Sequence, residues 1–225
     1  MLLALDTATT QLSLALHDGT TLLAEQTLPT PNRHTEQLAL HLRQLLNVTG
    51  QQVSALSAIA VVTGPGSYTG VRIGVAFAKG LAAPARLPLI GVSALDATAA
   101  GQPHHSGTLI ALVRAGRGRV IVGRYRWSSS KWVARGEPKL MAWAELFSSI
   151  DGRVTLAGDI DASGHDAYKQ ALTANAELKV DFALPAFSLR RAGFVAEVAW
   201  GQLRAAAPSD FPAAIIHPVY MNTLD

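Results

Sequence analysis

The apolar positions begin with a strand pattern. Leu2, Leu3, Ala4 and Leu5 form an uninterrupted run closed by Asp6, as expected for a strand buried on both faces. Thr7, Thr9, Thr10 and Gln11 make a polar turn, after which Leu12, Leu14 and Leu16 alternate with Ser13 and Ala15. Asp18-Gly19 reads as a hairpin turn, because glycine takes the positive φ that such turns require. Residues 20–28 then supply a third strand, so the chain opens as a three-stranded meander.

The period next changes to that of a helix. Leu38, Leu42, Leu45 and Leu46 stand at i, i+4, i+7 and i+8, one face of a helix over residues 33–46. Asn32 is its expected N-cap, Glu36 lies in its first turn, and Gly50 ends it. A buried strand at 57–63, a helix at 68–83 stopped by Pro84, a strand at 88–92 and a short helix at 93–100 follow. Residues 101–107 are a Gly/Pro/His-rich link. Beyond it lie strands at 108–113, 119–128 and 131–136, and another near 154–156. Helices are expected at 142–150, 164–174 and 193–206. The pattern predicts an α/β protein of two lobes, residues 1–100 and 101–225.

Composition narrows this picture. The chain of 225 residues is 49% apolar and 16% charged, which argues for a compact body and against disorder. No apolar run reaches the length of a membrane span, and no basic region precedes a hydrophobic core at the start. The expected location is the cytoplasm. With no cysteine, disulfides, thiol nucleophiles and Cys-based zinc sites are excluded. The net charge of +3 is too small to imply nucleic-acid binding without a local patch.

The glycine loop from Val61 to Gly74, VVTGPGSYTGVRIG, invites a phosphate-binding reading. A Walker A loop fails, since neither Gly64 nor Gly66 is followed at the required distance by Gly-Lys. A dinucleotide fingerprint fails because Gly70 comes one residue too late after Gly66. A nucleophile elbow at Ser67 fails because position 65 is proline. What remains is a strand–turn–helix junction with Ser67 as cap, whose free N–H groups could still draw an anion. Along the helix, Gly70, Gly74 and Ala78 recur every four residues. Interior glycines cost about 1 kcal/mol each relative to alanine, so close approach of another helix or backbone is expected, either within the chain or from another subunit.

The stretch from Gly64 to Gly74 closely resembles the GPGSFTGLRIG signature of the bacterial TsaB (YeaZ) family. Leu3 to Thr9 resembles that family's LALDTST start, His34-Thr35-Glu36 its H-S/A-E helix start, and Pro218-Val219-Tyr220 its C-terminal P-x-Y. The matches run in order over residues 1–100, with a weak echo beyond. The resemblance implies an acetate kinase/Hsp70/actin-like (ASKHA) fold of two ribonuclease-H-like lobes. It also implies a role in installing threonylcarbamoyl on the adenosine beside the tRNA anticodon. In that family the related subunit TsaD catalyses the transfer, TsaB is its required partner, and the ATPase TsaE joins the pair. The chain departs from the family at Arg114-Ala115-Gly116-Arg117-Gly118-Arg119, where an Asp-Ala-Arg-Arg-like turn is usual, and at Met221-Asn222, where Leu-Arg is usual.

These readings define candidate residues. An apolar helical face for TsaD, and for a homodimer when TsaD is absent, is expected from His34, Leu38, Leu42, Leu45, Gly70, Val71, Gly74 and Ala78. On that view Gly74→Leu or Leu42→Glu abolishes partner binding and leaves the monomer folded. Asp6, Ser67 and Arg72 are candidates for an anion or nucleotide contact. Asp6 follows the first strand where sugar kinases and actin place a phosphate-site acid, but threonines follow it here instead of glycine, and a purely turn-stabilising role is the competing reading. Arg124 and Arg126 are candidates for RNA contact, with tRNA otherwise met through the partner; arginines on an exposed strand edge also resist unwanted pairing. No metal pair is expected, since His34 and His41 stand seven residues apart and His104-His105 lies in the link. No cofactor and no active site of its own are expected, with ATP and metal in the partner subunits. The alternative is a small-molecule kinase or ATPase of the same fold.

Overall fold

The computed structural model describes residues 1–30 and 33–221, and the chain divides into two compact units. In the first, β1 (Leu2–Asp6), β2 (Gln11–His17) and β3 (Leu22–Pro29) form the expected antiparallel meander. Next come α1 (His34–Thr49), β4 (Ala58–Gly64), α2 (Tyr68–Ala85), β5 (Leu89–Ser93) and α3 (Ala94–Ala100). The sheet order is β3-β2-β1-β4-β5, with β4 parallel to β1 and β5 parallel to β4. The expected cap Asn32 lies outside the described residues. Gly50 closes α1 in the left-handed conformation, at φ 64°. α2 continues through Pro84 to Ala85 instead of stopping at 83. Proline is tolerated there because it is exposed in the last turn, where little helix remains to be disturbed.

The second unit, Thr98–Leu189, contains β6 (Thr108–Gly116), β7 (Arg119–Ser128), β8 (Lys131–Ala134), β9 (Lys139–Ala142), α4 (Trp143–Ser148), β10 (Arg153–Gly158), α5 (Ala162–Ala174), β11 (Lys179–Phe182) and the one-turn α6 (Pro185–Ser188). Its main path, β11-β10-β6-β7-β8, repeats the first sheet's order: an antiparallel trio β6–β7–β8 with two parallel strands added beside β6. Its core sets Trp143, Leu146 and Phe147 over Ile110, Leu112, Val120 and Leu156, with Tyr168 and Phe182 at the margin. The short strands β9 and β11 escape the sequence pattern.

The final helix, α7 (Ala192–Ala205), packs on β1 and β2. Arg190–Tyr220 therefore belongs to the first unit, a correction to the expected lobe of residues 101–225. The physical reason is coverage. α1 and α2 shield one face of the first sheet, and Ala192, Val195, Ala196 and Ala199, all 0% exposed, shield the other. All five residues of β1 are buried as a result, which is why that strand reads as a continuous apolar run.

Candidate functional site

The glycine loop folds onto the turn that follows β1. The N–H of Ser67 donates to the carbonyl of Ala8 at 2.8 Å, and Ser67 Oγ accepts from Gly70 N at 3.2 Å. Thr7 Oγ1 donates to the carbonyl of Gly70 at 2.7 Å. A Cβ on Gly70 would land on the Thr7 carbonyl oxygen, and one on Gly74 would meet Thr7 Oγ1 and Leu5. These glycines let strand and helix approach until backbone touches backbone. The stripe is thus filled from within the chain.

Asp6 is consumed by the fold. One carboxylate oxygen accepts from Ala8 N at 2.7 Å, and the other accepts from Arg190 Nε at 2.8 Å, with both side chains 3% exposed. Such a buried pair is strongly destabilised when one member is removed. It fastens β1 to the segment entering α7 and gives both carboxylate oxygens a partner within the chain. Arg190 carried no sequence signal, because its role arises only through a contact with a residue 184 positions away.

The eight candidate partner residues are corrected together. His34, Leu38, Leu42 and Leu45 form the inward face of α1, and Gly70, Val71, Gly74 and Ala78 that of α2. His34 is a staple. Its Nε2 faces the carbonyl of Thr9 at 2.8 Å and so carries the proton, while Nδ1 accepts from the Thr30 hydroxyl at 2.8 Å. Apolar periodicity identifies the face withdrawn from water but not what withdraws it, and here the chain's own sheet does so. Gly74→Leu and Leu42→Glu would therefore disturb the core. The outward faces carry Leu40 and Val48 on α1, 37% and 84% exposed, and Thr69, Ile73, Ala76 and Gly80 in a row on α2. A Cβ on Gly80 would meet nothing within 4 Å, so this glycine alone in α2 lacks an internal reason.

Arg72 is exposed, donates to the Tyr68 hydroxyl at 2.8 Å, and lies 5.2 Å from that ring's centroid. Tyr68 packs on Tyr220 with centroids 4.9 Å apart. Burial raises the Tyr220 phenol pKa above its ordinary value, Tyr68 adds to this, and Arg72 opposes it. Asp6, Ser67 and Arg72 are not brought into one site. Asp6 shares its sheet face with Ser13, which accepts from Ala192 N of α7, whereas α2 covers the opposite face.

In the second unit Arg114 and Arg117 are exposed at the β6–β7 turn, with Arg119 beside them. Arg126 is seven residues further along β7, about 23 Å in an extended strand. Arg114, Arg117, Arg119, Arg124 and Arg126, close together in the sequence, therefore stand as two groups at the two ends of β7. His104 and His105 pack against Trp127 and Trp132 at 4.8 Å and 4.6 Å. Among the described residues no group of three or more His, Asp or Glu side chains converges as a metal site, and no helix is long and apolar enough to cross a membrane.

The family model TsaD, described as tRNA N6-adenosine threonylcarbamoyltransferase, matches residues 25–200. The tRNA threonylcarbamoyladenosine biosynthesis protein TsaB of Bacillus subtilis (strain 168) is 35% identical over 167 residues, 73% of this chain and 72% of that protein. TsaB of Escherichia coli (strain K12) is 39% identical over 127 residues, 56% of this chain and 54% of its own length. A crystal structure from Pseudomonas aeruginosa, described as an uncharacterised protein with similarity to peptidase YEAZ, superposes with a TM-score of 0.78 at 25% identity, covering 98% of this chain and 99% of the other. The fold is the expected ASKHA fold. With the signature loop, the strand order and a relative aligned over nearly three quarters of both sequences, the chain belongs to the TsaB (YeaZ) family.

Proposed function

We propose that the chain is a non-catalytic subunit in the synthesis of threonylcarbamoyladenosine in tRNA, where it supports a TsaD-type transferase. The family's curated members carry that pathway in their names. The observation that carries the non-catalytic part is the closed junction between β1 and α2. The acid after the first strand is bonded on both oxygens, and the loop N–H of Ser67 is taken by Ala8. In this reading ATP and metal chemistry belongs to partner subunits, TsaE joins through the transferase, and the chain pairs with itself when the transferase is absent.

The partner surface moves to the outward row Ile73, Ala76 and Gly80 of α2, flanked by Leu40 and Val48 of neighbouring α1. A mid-helix glycine that touches nothing costs helix stability of about 1 kcal/mol, and close approach of another subunit supplies the missing reason for it. The test is capture of purified TsaD by the wild type, Ala76→Glu and Gly80→Leu. Both variants are expected to lose at least about tenfold in affinity, a cost of about 1.4 kcal/mol, with melting not lowered and, for Gly80→Leu, somewhat raised. Wild-type capture by both would remove this surface. Calorimetry of the isolated chain with ATP and magnesium checks the remainder, since turnover there would make it a kinase or ATPase.

A further inference from the structure

The pairing of β7 with β6 ends at Tyr125, opposite Leu109, and β7 continues with β8 alone to Ser128, opposite Lys131. Residues 126–133 are thus a two-stranded arm. Ser129 and Ser130, at φ 51° and 62°, form the two-residue mirror-image turn that suits a twisted hairpin. Opposed residues of an antiparallel ladder share a face. Trp127 and Trp132 are opposed on one face, and Arg126 and Val133 on the other. Lys131 shares the face of Val133, as does Arg135, whose N–H donates to the Arg124 carbonyl at 2.7 Å.

The tryptophan face stiffens the arm. The two indoles meet edge to face at 5.3 Å, His104 and His105 stack against them, and Trp132 Nε1 donates to the Gln102 carbonyl at 3.2 Å. The opposite face carries charge without compensation. Residues 124–135 contain Arg124, Arg126, Lys131 and Arg135 and no acid, although the whole chain has a net charge of only +3. Arg124 is occupied, donating to Ser149 Oγ at 2.8 Å beyond the end of α4. Arg126, Lys131 and Arg135 are exposed, and among the described residues none of them is paired with a carboxylate.

Like charges grouped on one face of a ladder destabilise it, and a lysine or two suffices to protect an edge strand. Three uncompensated cations on a rigid arm match a polyanion. We propose that the β7–β8 arm binds the phosphate backbone of tRNA directly through Arg126, Lys131 and Arg135. The identity of the polyanion rests on the functional reading above; the cationic face does not. Arg124, expected from sequence to touch RNA, instead anchors the end of α4.

The experiment is fluorescence anisotropy of a labelled unmodified tRNA with the full chain between 50 and 200 mM KCl. Three phosphate contacts contribute about 2–3 to the slope of log affinity against log salt, or about 20–40-fold across that range. Arg126→Ala/Lys131→Ala/Arg135→Ala is expected to bind more weakly at 50 mM and to lose that part of the slope, with melting not lowered. Arg126→Lys/Arg135→Lys keeps both, because lysine serves a phosphate as a point charge. Equal affinity and slope in wild type and triple variant, or no tRNA binding by the wild type at 50 mM, would overturn the proposal. A triple variant that keeps tRNA but loses TsaD would assign the arm to a protein partner and also overturn it. If wild type and variants alike fail to capture TsaD while the slope difference persists, the functional reading falls and the RNA-binding arm stands.

Discussion

The junction between β4 and α2 in the first unit and that between β10 and α5 in the second are built on one plan. β4 ends at Gly64 with φ 117°, and β10 at Gly158 with φ 110°. Three residues later Ser67 caps α2 and Asp161 caps α5. Three further on, the N–H of Gly70 bonds to Ser67 Oγ at 3.2 Å and that of Gly164 to Asp161 Oδ1 at 3.1 Å. One stretch reads GPGSYTG and the other GDIDASG, the second from the half where the family resemblance is weak. Glycine, cap and glycine at this spacing are therefore a way of turning a strand into a helix in either unit. What differs is the neighbour. Gly70 makes room for the Thr7 carbonyl, Gly164 for the ring of Trp143. The first junction is locked by backbone, the second by a side chain.

The first way to break the parallel is at the strand ends. A Cβ on Gly64 would strike the Val219 carbonyl and one on Gly158 the Leu112 carbonyl, both at a φ costly for other residues. Gly64→Ala and Gly158→Ala are each expected to cost about 2–6 kcal/mol, adding strain at positive φ to a steric clash. Urea unfolding checks this, and tolerance at one site alone would show that the two strand ends are not equivalent. The second comparison sharpens the difference. Gly70→Ala should cost about 1–3 kcal/mol, because a backbone carbonyl must move. At Gly164 the ring atoms of Trp143 stand 2.8–3.0 Å from the new Cβ. Alanine's helix preference of about 1 kcal/mol offsets part of the clash at both sites, but the overlap at Gly164 is milder and falls on a side chain, so its net cost should be the smaller. Equal losses would remove the distinction between backbone and side-chain locking.

Much of the first unit was legible in the sequence because its elements are long and their apolar periods unambiguous, from Leu2–Asp6 to the leucines of α1. The lobe boundary was not, because α7 looks alike on either sheet and only the uncovered face of β1 and β2 decides its place. The candidate partner residues were legible as helical faces, which the structure turns inward. Leu38, Leu42, Gly70 and Gly74 show the period of a buried face, which the chain's own sheet satisfies first. Gly80 was the available signal for the outward side, being the glycine outside the four-residue stripe. Arg190 and the pairing of Arg124 with Ser149 depend on contacts distant in sequence, which no local pattern announces.

The smallest expected difference between the junctions lies in their caps. Ser67→Ala and Asp161→Ala should each cost about 1 kcal/mol, the usual value for losing an N-cap side chain. Only one of these caps titrates in the acid range. The Asp161 carboxyl is held below its ordinary pKa, first by the Ser163 hydroxyl at 2.5 Å, then by the Gly164 N–H and Arg114, against the opposing effect of burial. A carboxyl lowered in the fold contributes stability that is present above its unfolded value, about pH 3.9, and lost as pH falls through the folded one. Asp161→Ser keeps a cap and removes that dependence, giving the second junction the chemistry of the first. Urea unfolding can be followed by tryptophan fluorescence, since three of the four tryptophans, Trp127, Trp132 and Trp143, lie in the second unit. The wild type should lose stability relative to Asp161→Ser as pH falls from about 5 to about 2, and curves that stay parallel over that range would mean that the cap owes nothing to its charge.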